Sequence, residues 1–126
     1  MKVVVVSGGF DPIHSGHIAY FKSAKKLGEK LIVALNSDAW LIKKKEKFFM
    51  PFKERKIIVE NMSMVDEVIS FEDDEAGSAS QALEKIKKLH PNDEIIFCNG
   101  GDRTKENIPE MQVSNISFEF SVGGED

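Results

Sequence analysis

Three short apolar runs do most to limit what this chain can fold into. They are Val3-Val4-Val5-Val6, Leu31-Ile32-Val33-Ala34-Leu35 and Ile95-Ile96-Phe97-Cys98. Unbroken apolar, largely β-branched stretches of this length suit strands covered on both faces, the condition of a parallel sheet. The first predicted strand covers residues 2–6, the second 30–35 and a later one 94–98. Segments with helical spacing lie between them. Residues 15–27 place Ile18, Phe21, Ala24 and either Lys25 or Leu27 on one stripe, with Ser15 set to cap the start and Gly28 to stop the end. The unit from 2 to 35 has the proportions of a βαβ crossover.

The rest of the chain continues the alternation. Asn36-Ser37-Asp38 ends the second strand and could cap a short helix over 39–42. A basic loop, Lys43-Lys44-Lys45-Glu46-Lys47, and Phe48-Phe49-Met50-Pro51 follow. Pro51 opens a helix to about residue 62, with Ile57, Ile58 and Asn61 on its inner face. A short strand is expected over 65–71, then an acidic, solvated turn at 72–75. A helix over 78–90 turns Ala82, Leu83, Ile86 and Leu89 inward, with lysines near its end and Pro91 stopping it. The last apolar alternation, Ile116, Phe118 and Phe120, reads as a strand with one wet face. Strands alternating with helices predict a single α/β domain over residues 1–126: a Rossmann-like, doubly wound, mainly parallel sheet of about five strands with helices on both faces.

Charge and composition narrow the function. A net charge of -4 argues against nucleic acid as a partner, which normally needs a basic face. No apolar stretch approaches a membrane span, and four valines after Met1-Lys2 are too few for a signal peptide. The lone Cys98 cannot form an internal disulfide, which points to a reducing, cytoplasmic setting. Cys98 itself reads as a core residue.

Chemistry concentrates in Ser7-Gly8-Gly9-Phe10-Asp11-Pro12-Ile13-His14-Ser15-Gly16-His17. A buried strand, a glycine loop and a helix start bring free backbone amides and two imidazoles to a place suited to an anion. Gly16 removes a side chain from the path of a phosphate. His14 and His17 could donate hydrogen bonds to phosphate oxygens, ligate a metal together with Asp11, or supply a general base. The structural alternative is a pair of histidines at a helix cap. A second glycine loop, Asn99-Gly100-Gly101-Asp102, follows the strand at 94–98 and should lie beside the first at the carboxyl edge of the sheet.

These residues resemble the cytidylyltransferase-like nucleotidyltransferases, whose hallmark is His-x-Gly-His after a Gly-x-Phe-Asp loop. The likeness extends through Asn36-Ser37-Asp38, the lysine loop, Glu54-Arg55-Lys56, Val65-Asp66-Glu67-Val68 and Gly100-Gly101-Asp102, so it covers most of the chain. Within the family it is similar to glycerol-3-phosphate cytidylyltransferases and to sugar-phosphate adenylyltransferases of the ADP-heptose type.

The resemblance implies transfer of a nucleotidyl group from ATP or CTP to a phosphorylated sugar or polyol, with release of pyrophosphate. It gives His14, His17 and Lys44 catalytic roles. Gly8, Gly9, Phe10, Asp11, Gly16, Lys45, Arg55, Gly100, Gly101 and Asp102 become nucleotide or phosphate contacts, and magnesium bridges the phosphates. Asp11 arranges the loop or the metal, without ligation being claimed. The lysine loop closes over the phosphates; its alternative is a solvated face. Arg55 binds phosphate, supports the loop, or makes a surface ion pair. Asp66 reads as structural, holding the start of a strand.

Two departures stand out. The family's Ser/Thr-rich segment and final helix have no counterpart after residue 120, which makes a truncated nucleotide-binding module the alternative to an enzyme. Met64 replaces the arginine usual before Val-Asp-Glu-Val. The cluster Trp40, Phe48, Phe49 and Phe52 is more apolar than a free surface needs and suggests a homodimer.

Overall fold

A computed structural model describes residues 1–10, 13, 15–45, 50–70, 80–98 and 116–119, with the backbone alone at 40, 43–45, 80–81 and 118–119. In chain order the elements are β1 (Lys2–Gly8), α1 (Ser15–Lys25), β2 (Lys30–Leu35), α2 (Asp38–Lys45), α3 (Phe52–Glu60), β3 (Glu67–Ser70), α4 (Ser80–Leu89), β4 (Glu94–Cys98) and β5 (Ser117–Glu119). The strands form one sheet in the order β3-β2-β1-β4-β5, and every neighbouring pair is parallel. The Rossmann-like expectation holds, with helices on both faces.

The three apolar runs occupy the middle of this sheet, and their side chains divide between its faces as a period of two requires. Val3, Val5, Ile32, Ala34, Ile95 and Phe97 pack with Ala82, Leu83 and Ile86 of α4. Val4, Val6, Leu31, Val33, Leu35, Ile96 and Cys98 pack with Phe21 and Ala24 of α1 and Val59 of α3. Burying one such large apolar side chain stabilises by roughly 1.5–3 kcal/mol, so the two layers account for why these runs are strands. Among the described residues no helix is long and apolar enough to cross a membrane.

Several local expectations need correction. Lys43, Lys44 and Lys45 are the last residues of helix α2, not a loop. On α3 the buried residues are Arg55 and Val59, whereas Ile57 is 44% exposed and Asn61 is exposed. A pattern reading turns charges outward, and the buried arginine shifts the true inner face away from Ile57. Leu89, the last residue of α4, is also exposed. Phe52 packs against the α1-side core instead of standing on an open surface, as does Met64. Of that aromatic cluster the side chain of Trp40 and the whole of Phe48 and Phe49, together with the acidic turn and the chain from 120 onward, lie outside what is described.

Gly28 does more than end a helix. A Cβ placed there would meet the Lys2 carbonyl oxygen at 2.6 Å and Val4 Cγ2 at 2.8 Å. The turn presses against β1, and Glu29 N–H donates to that same Lys2 carbonyl at 2.9 Å. Asp66 behaves as expected. Its carboxylate accepts from Leu31 N–H at 2.8 Å and from Lys25 Nζ, while its own N–H donates to the Leu31 carbonyl at 3.0 Å. These contacts set the start of β3 beside β2.

Candidate active site

The chain lays β1, β2 and β3 outward in one direction, then returns to place β4 and β5 on the other side of β1. The strand order therefore reverses between β1 and β4. In an open parallel sheet this is where a crevice forms at the carboxyl ends of the strands. Val5 pairs with Phe97, so β1 and β4 run side by side toward the same edge, where the Gly8-Gly9 loop begins at the end of β1. Tyr20 of α1 adds a cross-link: its hydroxyl donates to the Cys98 carbonyl at 2.8 Å. Gly100, Gly101 and Asp102 lie outside the described residues, but the strand leading to them ends on the expected edge.

The first loop is shaped by Phe10. This residue takes a left-handed backbone conformation, φ 51°, which is costly for a non-glycine side chain. In return its ring folds back into the core, leaving it 7% exposed. There it meets His17 and Phe21, each with ring centroids 5.0 Å away and planes at 80°. Edge-to-face contacts of this kind are favourable and directional. Gly8 makes room for the ring, since a Cβ on it would lie 2.9 Å from Phe10 Cζ. The Phe10 side chain is thus a core plug that orients His17, and any contact it makes to a phosphate would come from its backbone. His17 and Gly16 sit in the first turn of α1, His17 half-buried. His14 and Asp11 lie outside the described residues.

Arg55 is the most constrained residue of the site. It is 0% exposed, which removes the surface ion pair from its alternatives. Its Nη1 donates to the carbonyls of Gly9 at 2.9 Å and Asn36 at 2.8 Å. Nε donates to the Met50 carbonyl at 2.9 Å, and Nη2 to Asp38 Oδ1 at 2.6 Å. Its guanidinium carbon stands 5.7 Å from the centre of the Phe52 ring. A guanidinium has five N–H groups in a fixed plane, and four of them are committed to protein oxygens here. Asn36 is itself buried, and its N–H donates to the Gly8 carbonyl at 3.0 Å. One cation thereby joins the ends of β1 and β2, the start of α2 and the approach to α3.

Sequence reasoning gave no role at the site to three contributors, Asn36, Asp38 and Tyr20. Asp38 precedes Arg55 by seventeen residues on a different helix, and Asn36 acts through its backbone; no periodicity links either to the arginine. Tyr20 follows His17 by three residues, one helical turn, which was a legible signal that both serve the same edge. The backbone of Lys44 and Lys45 closes α2, the helix that Asp38 begins. Among the described residues no group of three or more His, Cys, Asp or Glu could hold a metal ion.

Comparison with known proteins follows the same lines. Over 112 residues, 80% of this chain, the sequence is 38% identical to the bifunctional protein HldE of Enterobacter sp. (strain 638). The chain spans 24% of that relative, about a quarter of its length. The fold is similar to that of the lipopolysaccharide core biosynthesis protein from Thermoplasma volcanium GSS1, with a TM-score of 0.70 at 22% identity over 95% of both chains. It is also similar to a bifunctional NMN adenylyltransferase/ADP ribose pyrophosphatase from Francisella tularensis, solved with AMP and a manganese ion. There the TM-score is 0.62 at 20% identity, over 94% of this chain and 36% of that one. At such identities the two structures speak for the fold alone. A family model described as cytidylyltransferase-like matches residues 5–120, nearly the whole sequence, and the chain belongs to that family.

Proposed function

We propose that this chain is a nucleotidyltransferase domain that moves a nucleotidyl group from ATP or CTP to a phosphorylated sugar or polyol, releasing pyrophosphate. The observation that carries the reading is the β1–α1 junction at the reversal of strand order. It joins a glycine loop, a helix N-terminus and an oriented His17 beside the end of β4. Membership of the cytidylyltransferase-like family gives further support.

The chemistry asks little of a general base. A phosphate monoester has its second pKa near about 6, so the acceptor's phosphate is already a nucleophile at neutral pH. One of its oxygens forms a bond to the α-phosphorus as the bond to the bridging oxygen breaks, and the electron pair leaves with pyrophosphate. What the protein must supply is alignment and stabilisation of the charge that gathers on the phosphate oxygens. In this reading His17 and His14 donate to those oxygens, and the amides at the start of α1 add their partial charge. Lys44 and Lys45 approach from α2, and Gly100, Gly101 and Asp102 complete the nucleotide side. Magnesium arrives on the triphosphate as part of the substrate, held mainly by phosphate oxygens and water. A homodimer belongs to the same reading and is checked by light scattering.

The test is pyrophosphate release from ATP and CTP with magnesium, across a panel of sugar and polyol phosphates. Release that depends on an acceptor is expected. Nucleotide binding with no release would favour a binding module instead. Inorganic phosphate released without any acceptor would point to a hydrolase.

A further inference from the structure

We infer that Asp38 and Arg55 form a positioning pair that fixes helix α2, and the lysines at its end, against the first glycine loop. The inference rests on the reading above in assuming that loop and lysines meet one triphosphate. The four oxygens around Arg55 come from three separate stretches of chain, with Asn36 and Asp38 in the one turn that leads from β2 into α2. Gly9 follows β1, Asn36 follows β2, Asp38 begins α2 and Met50 precedes α3. Helix α2 is therefore held at its start by the Asp38 carboxylate, and the chain beyond it comes back to the same guanidinium at Met50. A rigid planar group with fixed donor directions sets the spacing of these stretches in a way that a flexible ammonium could not.

Exposure separates the two partners. Arg55 is fully buried, so it acts through the backbone it holds; the Asp38 side chain is 35% exposed. Asp38 can be altered without opening the core, whereas replacing Arg55 would disturb four sites at once. Leu41, 1% exposed on the next turn of α2, keeps that helix docked by packing when the carboxylate is removed. The expected consequence is a helix that remains folded in place but is loosened at its first turn.

The experiment compares the wild-type chain with Asp38→Ala, Asp38→Asn and the double variant Lys44→Ala/Lys45→Ala. Amide hydrogen exchange is read first, because it does not depend on turnover. Asp38→Ala should raise exchange at least tenfold across α2 and around residues 8–10, leaving β1, β4 and α4 unchanged, with Asp38→Asn in between. In pyrophosphate release, Asp38→Ala should raise the KM for triphosphate about tenfold while the acceptor KM stays close to wild type; the melting temperature should fall, because the buried Arg55 loses its counter-ion. Combined with the lysine double variant it should add little, since both act on the same contact. Unchanged exchange in Asp38→Ala overturns the pair. So does an equal rise in both KM values, or full additivity with the lysine changes. A wild-type chain that releases no pyrophosphate from any triphosphate would defeat the proposed reaction, and the exchange pattern would still decide whether the pair positions α2.

Discussion

Ion pairs tie the sheet at both of its edges, and the two edges use them differently. At the carboxyl edge Arg55 is sealed inside the molecule and holds Asp38 together with three backbone carbonyls. At the amino edge Lys25 pairs with Asp66 and Lys30 with Glu67, and all four side chains are between a quarter and two-fifths exposed. The first arrangement leaves a charge that no water can solvate if a partner is lost. The second leaves charges that water takes over. The edge read here as the active site carries the cation that cannot be removed cheaply, and the opposite edge carries pairs that can.

The comparison breaks most visibly at Arg55. Arg55→Ala removes four hydrogen bonds and a fully buried side chain and leaves the buried Asn36 carbonyl without its donor; losing a large buried side chain together with its hydrogen bonds costs about 3–5 kcal/mol. Thermal unfolding should show a drop of more than about 10 °C. A drop of only two or three degrees would mean that the guanidinium is dispensable and that the carboxyl edge is held by packing.

Smaller effects come from the two glycines that admit a close neighbour, one at each edge. Gly8→Ala and Gly28→Ala should each cost roughly 1–3 kcal/mol, the usual range for forcing atoms into a packed site. Their functional consequences should diverge. Gly8→Ala displaces the Phe10 ring and with it His17, so pyrophosphate release should fall with stability. Gly28→Ala presses on Lys2 and Val4 far from the site, so turnover per folded molecule should be unchanged. Equal losses of turnover would contradict the division of the molecule into a chemical edge and a supporting one.

The smallest effect belongs to the exposed edge. Burial by itself would raise the Asp66 carboxyl. The Lys25 hydrogen bond, the Leu31 N–H and the charges of Lys25 and Lys30 outweigh it and hold the group below its ordinary 3.8. A depressed carboxylate contributes stability that is present above the unfolded value and is lost as pH falls through the folded one. Asp66→Asn should therefore cost under about 1 kcal/mol at pH 7. Its stability should also decline less steeply than wild type as pH drops below about 4. Parallel acid limbs in urea titrations of the two proteins would show that this carboxylate plays no part.

The same contrast explains what could be read from the sequence. The apolar runs announced themselves because burial on both faces excludes polar residues: β2 and β4 end where those runs do and start one charged residue before them, and the two core layers follow. The glycine loop and His17 stood out because Gly8, Phe10 and His17 fall within ten residues between a strand and a helix, and the structure packs the three together. Arg55 was recognised, but not its burial, because periodicity sorts charged residues to the surface and has no means of seeing four oxygens gathered from three separate stretches. The lysines were read as a loop for a related reason. A run of like charges suggests solvation, yet a preceding turn with Leu41 buried is enough to carry the helix through them.

The central claim is that the junction at the strand reversal performs the transfer, and His17 is its most direct probe. Substitution by Asn, close in size, and by Ala should each lower acceptor-dependent pyrophosphate release about 100-fold or more, the effect expected for a donor lost from a transition-state site. The Asn variant should melt within a few degrees of wild type. Full turnover in both variants would contradict the account.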